Sequence, residues 1–222
     1  MEIIWLGNSC FQLRGKNVVL VTDPFLPTES TEQSDLSKQK KINAAIITVS
    51  HKHPGQDYMQ GVEGNARIVR GPGEYEISDV LITGVASYQD SKRGQVHGRN
   101  TIYIIHMDEL VICHLGDLGH ALYEEQLEEV ADADVLLIPI GGENNTVAQA
   151  AEIISQVEPR IVIPMHYQPA TADKLIDPAQ TPNPLDKFCR EMGVEKIDLQ
   201  PRLGVTKSSL PPSMQVVVLS MR

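Results

Sequence analysis

Aromatic residues are scarce in this chain: three Phe, six Tyr and one Trp among 222 residues leave the interior to be filled by Val, Ile and Leu. Cysteine is scarce too. Cys10, Cys113 and Cys189 are odd in number and contain no CxxC, which excludes a disulfide framework and a thiolate zinc site, so all three are expected to be reduced core residues. Positive charge is outweighed, 19 Lys and Arg against 29 Asp and Glu, for a net charge of -10. The longest basic run is KQKK at 38–41. It reads as a solvated loop, and a nucleic-acid partner held by phosphate neutralisation is excluded. No apolar run approaches the length of a bilayer span, and the opening MEIIWLGN is too short and too acidic for a signal peptide. The expectation is a cytoplasmic protein with no membrane partner.

What the chain does have is strand after strand, each four to eight residues long and bounded by Gly, Asn, Pro or Asp. The runs lie at 2–6, 10–13, 17–23, 44–50, 66–71, 74–78, 80–87, 100–107 and 109–116. GPGE at 71–74 reads as a turn, and Asp108 between the last two runs marks a tight hairpin. The rhythm then changes. ALYEEQLEEVA at 121–131 puts Leu122, Leu127 and Val130 on one helical face and leads into the buried strand DVLLIPI at 134–140. A second helix over 144–159, stopped by Pro159, precedes RIVIPMHY at 160–167. A third spans 183–193 with Gly193 as its C-cap, and weaker strands follow near 195–199 and 214–220. One domain, 1–222, accommodates all of this.

The polar residues worth attention sit just after buried strands. His51 and His53 follow AAIITVS, Asp117 follows VICHLG, and His166 ends RIVIPM. In α/β sheets the carboxyl ends of strands open on one crevice, so these four side chains are expected to converge despite their separation in sequence. His114, alternating with Cys113, reads as a core residue. His120 is expected to line the pocket, and His97 and His106 to lie on the surface or in a hairpin. GPGE has no helix after it and is weak evidence for an anion site, and IGGE at 140–143 lacks GxGxxG spacing, so both read as turns.

The order WLGNSCF, TDPF, a strand ending in His-x-His, HLGDLG and PMHY resembles the metallo-β-lactamase superfamily, in particular predicted metal-dependent hydrolases related to ascorbate-6-phosphate lactonase. The resemblance covers nearly the whole chain. It implies a four-layer αββα sandwich of two mixed β-sheets, the two halves each supplying a sheet and helices, with a metal site at one edge. Carried over by position, it makes His51, His53, Asp117 and His166 the metal ligands and gives Asp117 the bridging, catalytic place.

The same resemblance exposes departures. Gly55 and Gln56 stand where the motif carries Asp and His, Gln89 in SYQD stands where a loop histidine is expected, and Asn8 replaces a frequent histidine of the opening motif. A glutamine carbonyl is a far poorer zinc donor than imidazole, so the expected cofactor is at most one divalent ion, Zn or Mn, weakly held. Gln56, Asp57, Gln89 and His120 are then substrate-pocket candidates, with Asp57 as a stand-in donor. Two readings of different class stand. One is a mononuclear or weakly active hydrolase of small esters, lactones or phosphoesters. The other is a repurposed, non-catalytic fold member that binds a ligand or a protein partner. A small-molecule substrate or ligand suits both, and a homo-oligomer is compatible with either.

Overall fold

Short runs of Val, Ile, Leu and Thr, cut off by turn residues, make the first half of the chain a succession of strands. A computed structural model describes residues 1–24, 42–52, 62–141, 146–167 and 183–222. In order come β1 (Glu2–Gly7), β2 (Cys10–Arg14), β3 (Val19–Thr22), β4 (Ile42–Asn43), β5 (Ile46–Val49), β6 (Val62–Glu63), β7 (Arg67–Arg70), β8 (Gly73–Ile77), β9 (Val80–Tyr88), β10 (Arg99–Met107) and β11 (Leu110–His114). Then follow α1 (Glu124–Val130), β12 (Val135–Pro139), α2 (Val147–Val157), β13 (Ile161–Met165), α3 (Pro184–Glu191), β14 (Leu199–Gln200), β15 (Leu203–Gly204), β16 (Gln215–Val216) and β17 (Val218–Leu219).

Two large mixed sheets result, as the fold class requires. One has the order β15-β1-β2-β3-β5-β7 and the other β16-β13-β12-β11-β10-β9-β8. In the first, β3, β5 and β7 run parallel; in the second, β11, β12, β13 and β16 do. The sheets share one interior. Ile3, Trp5, Phe11, Leu13, Leu20 and Ile46 of the first belong to the same buried cluster as Ile82, Ile102, Ile105, Ile112, Leu136 and Ile163 of the second. Cys10, Cys113 and Cys189 are all buried and reduced, as their number and spacing predict.

The expectation that each half supplies its own sheet and helices needs correction. β8 to β10 of the first half belong to the second sheet, and β15 returns from the C-terminal region to pair with β1, covering an otherwise open edge. All three described helices come after β11, in the crossover half of the second sheet. The helix expected from 121 begins only at Glu124, because the Gln126 side chain turns back to accept the Tyr123 N–H at 3.0 Å and so fixes the helix start. Leu122 precedes the helix, and GPGE is a turn only in part, since β8 starts at Gly73.

Other expectations hold. Asp108 and Glu109 form the tight hairpin between β10 and β11, both at positive φ as a two-residue turn of this hand demands. Asn183 caps α3 by accepting the Leu185 N–H, and Gly193 just past it adopts the left-handed conformation. His97 and His106 are exposed, and His114 is fully buried.

Candidate metal centre

The carboxyl ends of β3, β5, β11, β12 and β13 open on one edge of the sandwich, and the amino end of antiparallel β10 meets them there. His51 forms an antiparallel bridge with Asn100, and the Thr101 N–H donates to the Ser50 carbonyl at 2.8 Å, so the two sheets are stitched together at this edge. The Asn100 side chain reaches the other way, accepting the Asp117 N–H at 3.0 Å. His166 completes the group: its Nδ1 lies 3.6 Å from Asp117 Oδ1. His51, Asp117 and His166, read separately from the sequence, thus come to one edge. His53, Gln56 and Asp57 lie outside the described residues.

Behind His51 stands a buried chain of hydrogen bonds. The Ser50 N–H donates to Asp23 Oδ1 at 2.7 Å, the Ser50 hydroxyl to Asp23 Oδ2 at 2.5 Å, and Ser50 Oγ meets His51 Nδ1 at 2.8 Å. The serine proton is committed to the carboxylate, so the serine oxygen accepts from His51 Nδ1–H. That tautomer keeps the ring lone pair on Nε2, the arrangement metal-binding histidines use when an outer partner orients them. His166 is set the same way by the Gly141 carbonyl, 3.3 Å from its Nδ1. His114 underlies the group: its Nε2 donates to the Ser9 carbonyl at 2.9 Å and lies 3.9 Å from Asp23. Burial pushes this imidazole below its ordinary pKa, with the Asp23 carboxylate pulling the other way, so it is a neutral floor at pH 7.

The backbone here is strained. Asn8, Asp23 and His166 all have positive φ, a conformation that side chains with a Cβ resist and that persists only where surroundings enforce it. The Asn8 carbonyl does so by accepting from both Trp5 Nε1 and the His166 N–H. Gly116, also at positive φ, must be glycine, because a Cβ there would collide with Asn100 Oδ1 and Ser50 Oγ. Exposure divides the residues: Asp23 and His51 are sealed, whereas the Asp117 and His166 side chains are 16% and 19% exposed and reach solvent.

Two pocket candidates are engaged elsewhere. Gln89 is buried and its amide donates to the Arg99 carbonyl at 3.0 Å. His120 accepts the Tyr88 N–H at Nε2, donates from Nδ1 to the Ala121 carbonyl and stacks on Tyr123, so both its ring nitrogens are used by the fold. A 570 Å³ groove lined by Gly84, Tyr88, Arg93, Tyr123 and Glu129 adjoins that stack, and none of the described metal-ligand candidates, His51, Asp117 or His166, borders it.

The Beta-lactamase superfamily domain matches residues 2–166, from β1 through His166. The chain belongs to this superfamily. It is 30% identical over 194 residues to a UPF0173 metal-dependent hydrolase of Thermoplasma acidophilum, covering 75% of this chain and 83% of that protein. A UPF0173 protein of Pyrococcus furiosus is 27% identical over 221 residues, covering 92% and 99%. Among solved structures, a Thermotoga maritima protein named as a candidate Zn-dependent hydrolase of the metallo-β-lactamase superfamily superposes with a TM-score of 0.76 at 29% identity, covering 100% of this chain and 99% of that one.

For this superfamily member the donor chemistry fits a divalent cation: two imidazoles in the right tautomer and a carboxylate at one strand edge. Among the described residues no group of three or more His, Cys, Asp or Glu closes into a cage by itself, and His53 is outside them. Sequence reasoning missed Asp23, Ser50 and Asn100. Asp23 did carry a local signal, an aspartate at a strand end before proline in TDPF. For Asn100, in HGRN, no local signal exists.

Proposed function

We propose that this chain is a metal-dependent hydrolase of small esters, lactones or phosphoesters, working with one cation held by His51, His53, Asp117 and His166. The observation that carries the reading is the outer wiring. Asp23 and Ser50 on one ring, and the Gly141 carbonyl on the other, hold both imidazoles with Nδ1 protonated and Nε2 as donor. A buried carboxylate spent on orienting a histidine makes little sense unless that histidine binds something. When bound, a divalent cation supplies Lewis acidity, activating water near neutral pH and polarising a carbonyl or phosphoryl oxygen.

The chain's own residues do the rest. Asp117, partly exposed and 3.6 Å from His166, accepts and holds a proton from the attacking water, and the Asn100 amide keeps its backbone in place while it does so. Gln89 has its Nε2 tied to the Arg99 carbonyl and only an amide oxygen to offer, a far poorer donor than the imidazole expected there, which supports a single ion and slow turnover. The resemblance to lactonase-like hydrolases suggests the substrate class.

The test is metal content by mass spectrometry after zinc loading and dialysis, followed by a panel of lactones and phosphodiesters. We expect about one equivalent of zinc, and turnover that disappears in the His51→Ala, Asp117→Asn double variant. Two equivalents would overturn the single-ion reading. Rates equal to the double variant's on every substrate would favour the repurposed, ligand-binding alternative.

A further inference from the structure

We propose that Asn100 is a positioning residue that fixes the spacing between His51 and Asp117, and so the shape of the metal centre; this rests on the metal-site reading above. The two ligands stand on different sheets, His51 after β5 and Asp117 after β11, and Asn100 touches both at their backbones. Its main chain bridges His51, and its Oδ1 accepts the Asp117 N–H at 3.0 Å. Asn100 is only 2% exposed, and Nδ2 donates to Ser87 Oγ at 2.8 Å and to the Leu115 carbonyl at 2.9 Å.

Those partners leave no choice of orientation. A carbonyl can only accept and an amide N–H can only donate, so Nδ2 must face Leu115 and Oδ1 must face Asp117. Rotation is blocked as well, since Gly116 packs against Oδ1 so closely that even a Cβ would not fit. One side chain therefore spans the carbonyl of Leu115 and the amide of Asp117, clamping the turn that carries the carboxylate, while its backbone is tied to the histidine strand. Any change in its length or polarity moves one ligand relative to the other.

Cobalt(II) tests this on the full chain, because its visible absorption bands report ligand geometry and its titration gives affinity without any substrate. For Asn100→Ala we expect binding weakened by about 10- to 100-fold, the range for residues that orient ligands, with altered bands. Asn100→Asp keeps an oxygen for the Asp117 N–H but sets a second oxygen, with no proton to donate, against the Leu115 carbonyl, so it should also weaken binding and alter the bands. Ser87→Ala, which leaves the Asp117 and Leu115 contacts in place, should keep the unmodified protein's affinity and band shape. If Asn100→Ala does not fold, as judged by far-ultraviolet circular dichroism, Asn100→Ser replaces it: its hydroxyl is too short to reach the Asp117 amide. An Asn100→Ala or Asn100→Ser protein with unchanged affinity and bands overturns the inference alone, as does a Ser87→Ala protein altered as much as Asn100→Ala. An unmodified protein that takes up no cobalt overturns the metal-site reading, and this inference with it.

Discussion

Ser50 shows how much chemistry a single hydroxyl can direct. It links a sealed carboxylate to an imidazole, and removing it harms both. In Ser50→Ala, Asp23 loses the hydroxyl donor and keeps the Ser50 N–H, while His51 Nδ1 loses its acceptor. A buried group left unsatisfied costs about 1–3 kcal/mol, and loss of an outer ligand contact weakens metal binding by about 10- to 100-fold. We therefore expect Ser50→Ala to lower the urea midpoint and to weaken zinc affinity by calorimetry; unchanged affinity would show that His51 does not depend on this wiring. The histidines themselves were legible in the sequence because His-x-His after an apolar strand is a local pattern. Their support was not. His114 bonds the carbonyl of Ser9, 105 positions away, and Asp23 meets Ser50 across 27, so no window along the chain contains both partners.

At the scale of elements, the connection from β9 to β10 is organised by one carboxylate. Asp90 Oδ1 accepts from the N–H groups of Lys92 and Gly94, and Oδ2 from those of Val96 and His97. These bonds, the one from His97 foremost, outweigh burial and hold its pKa down to about 2. The sign follows. A carboxyl acidified by folding stabilises the fold above its unfolded pKa, near 3.9, and the contribution drains away as pH falls from about 4 toward 2. Asp90→Asn should be less stable than the unmodified chain at pH 7, and the difference in urea midpoint should shrink by pH 3; a constant difference would contradict this account. The loop runs into Asn100, and Gln89, next to Asp90, ties its two ends together through Gly98 and Arg99. From SYQD alone Gln89 was a pocket candidate; its burial is decided by a turn whose geometry depends on four backbone amides beyond it. Strand and helix order was legible from periodicity. The two-residue strands β4, β6 and β15 were not, since two residues carry no period.

Across the whole molecule, the two sheets fill one interior with aliphatic side chains, and the first sheet borrows β15 from the C-terminal region. Such interleaving predicts one cooperative unfolding transition. Trp5, the single tryptophan, sits in the first sheet and stacks on Tyr167 just beyond β13, their ring centres 4.9 Å apart, so its fluorescence senses both halves. Its urea curve should coincide with that from far-ultraviolet circular dichroism; two separated midpoints would mean separable units. By itself the sequence determined the fold class, the reduced cysteines, the strand-then-helix order and the strand-end positions of His51, Asp117 and His166. Each is written in local composition, spacing or a motif, where the physics acts over a few residues. Only the tertiary structure decided that β8 to β10 join the second sheet, that Gln89 and His120 serve the fold, and that Asp23, Ser50 and Asn100 hold the site in shape. These depend on hydrogen bonds and sheet registers between distant segments, and such contacts exist only after the chain has brought its strand ends together.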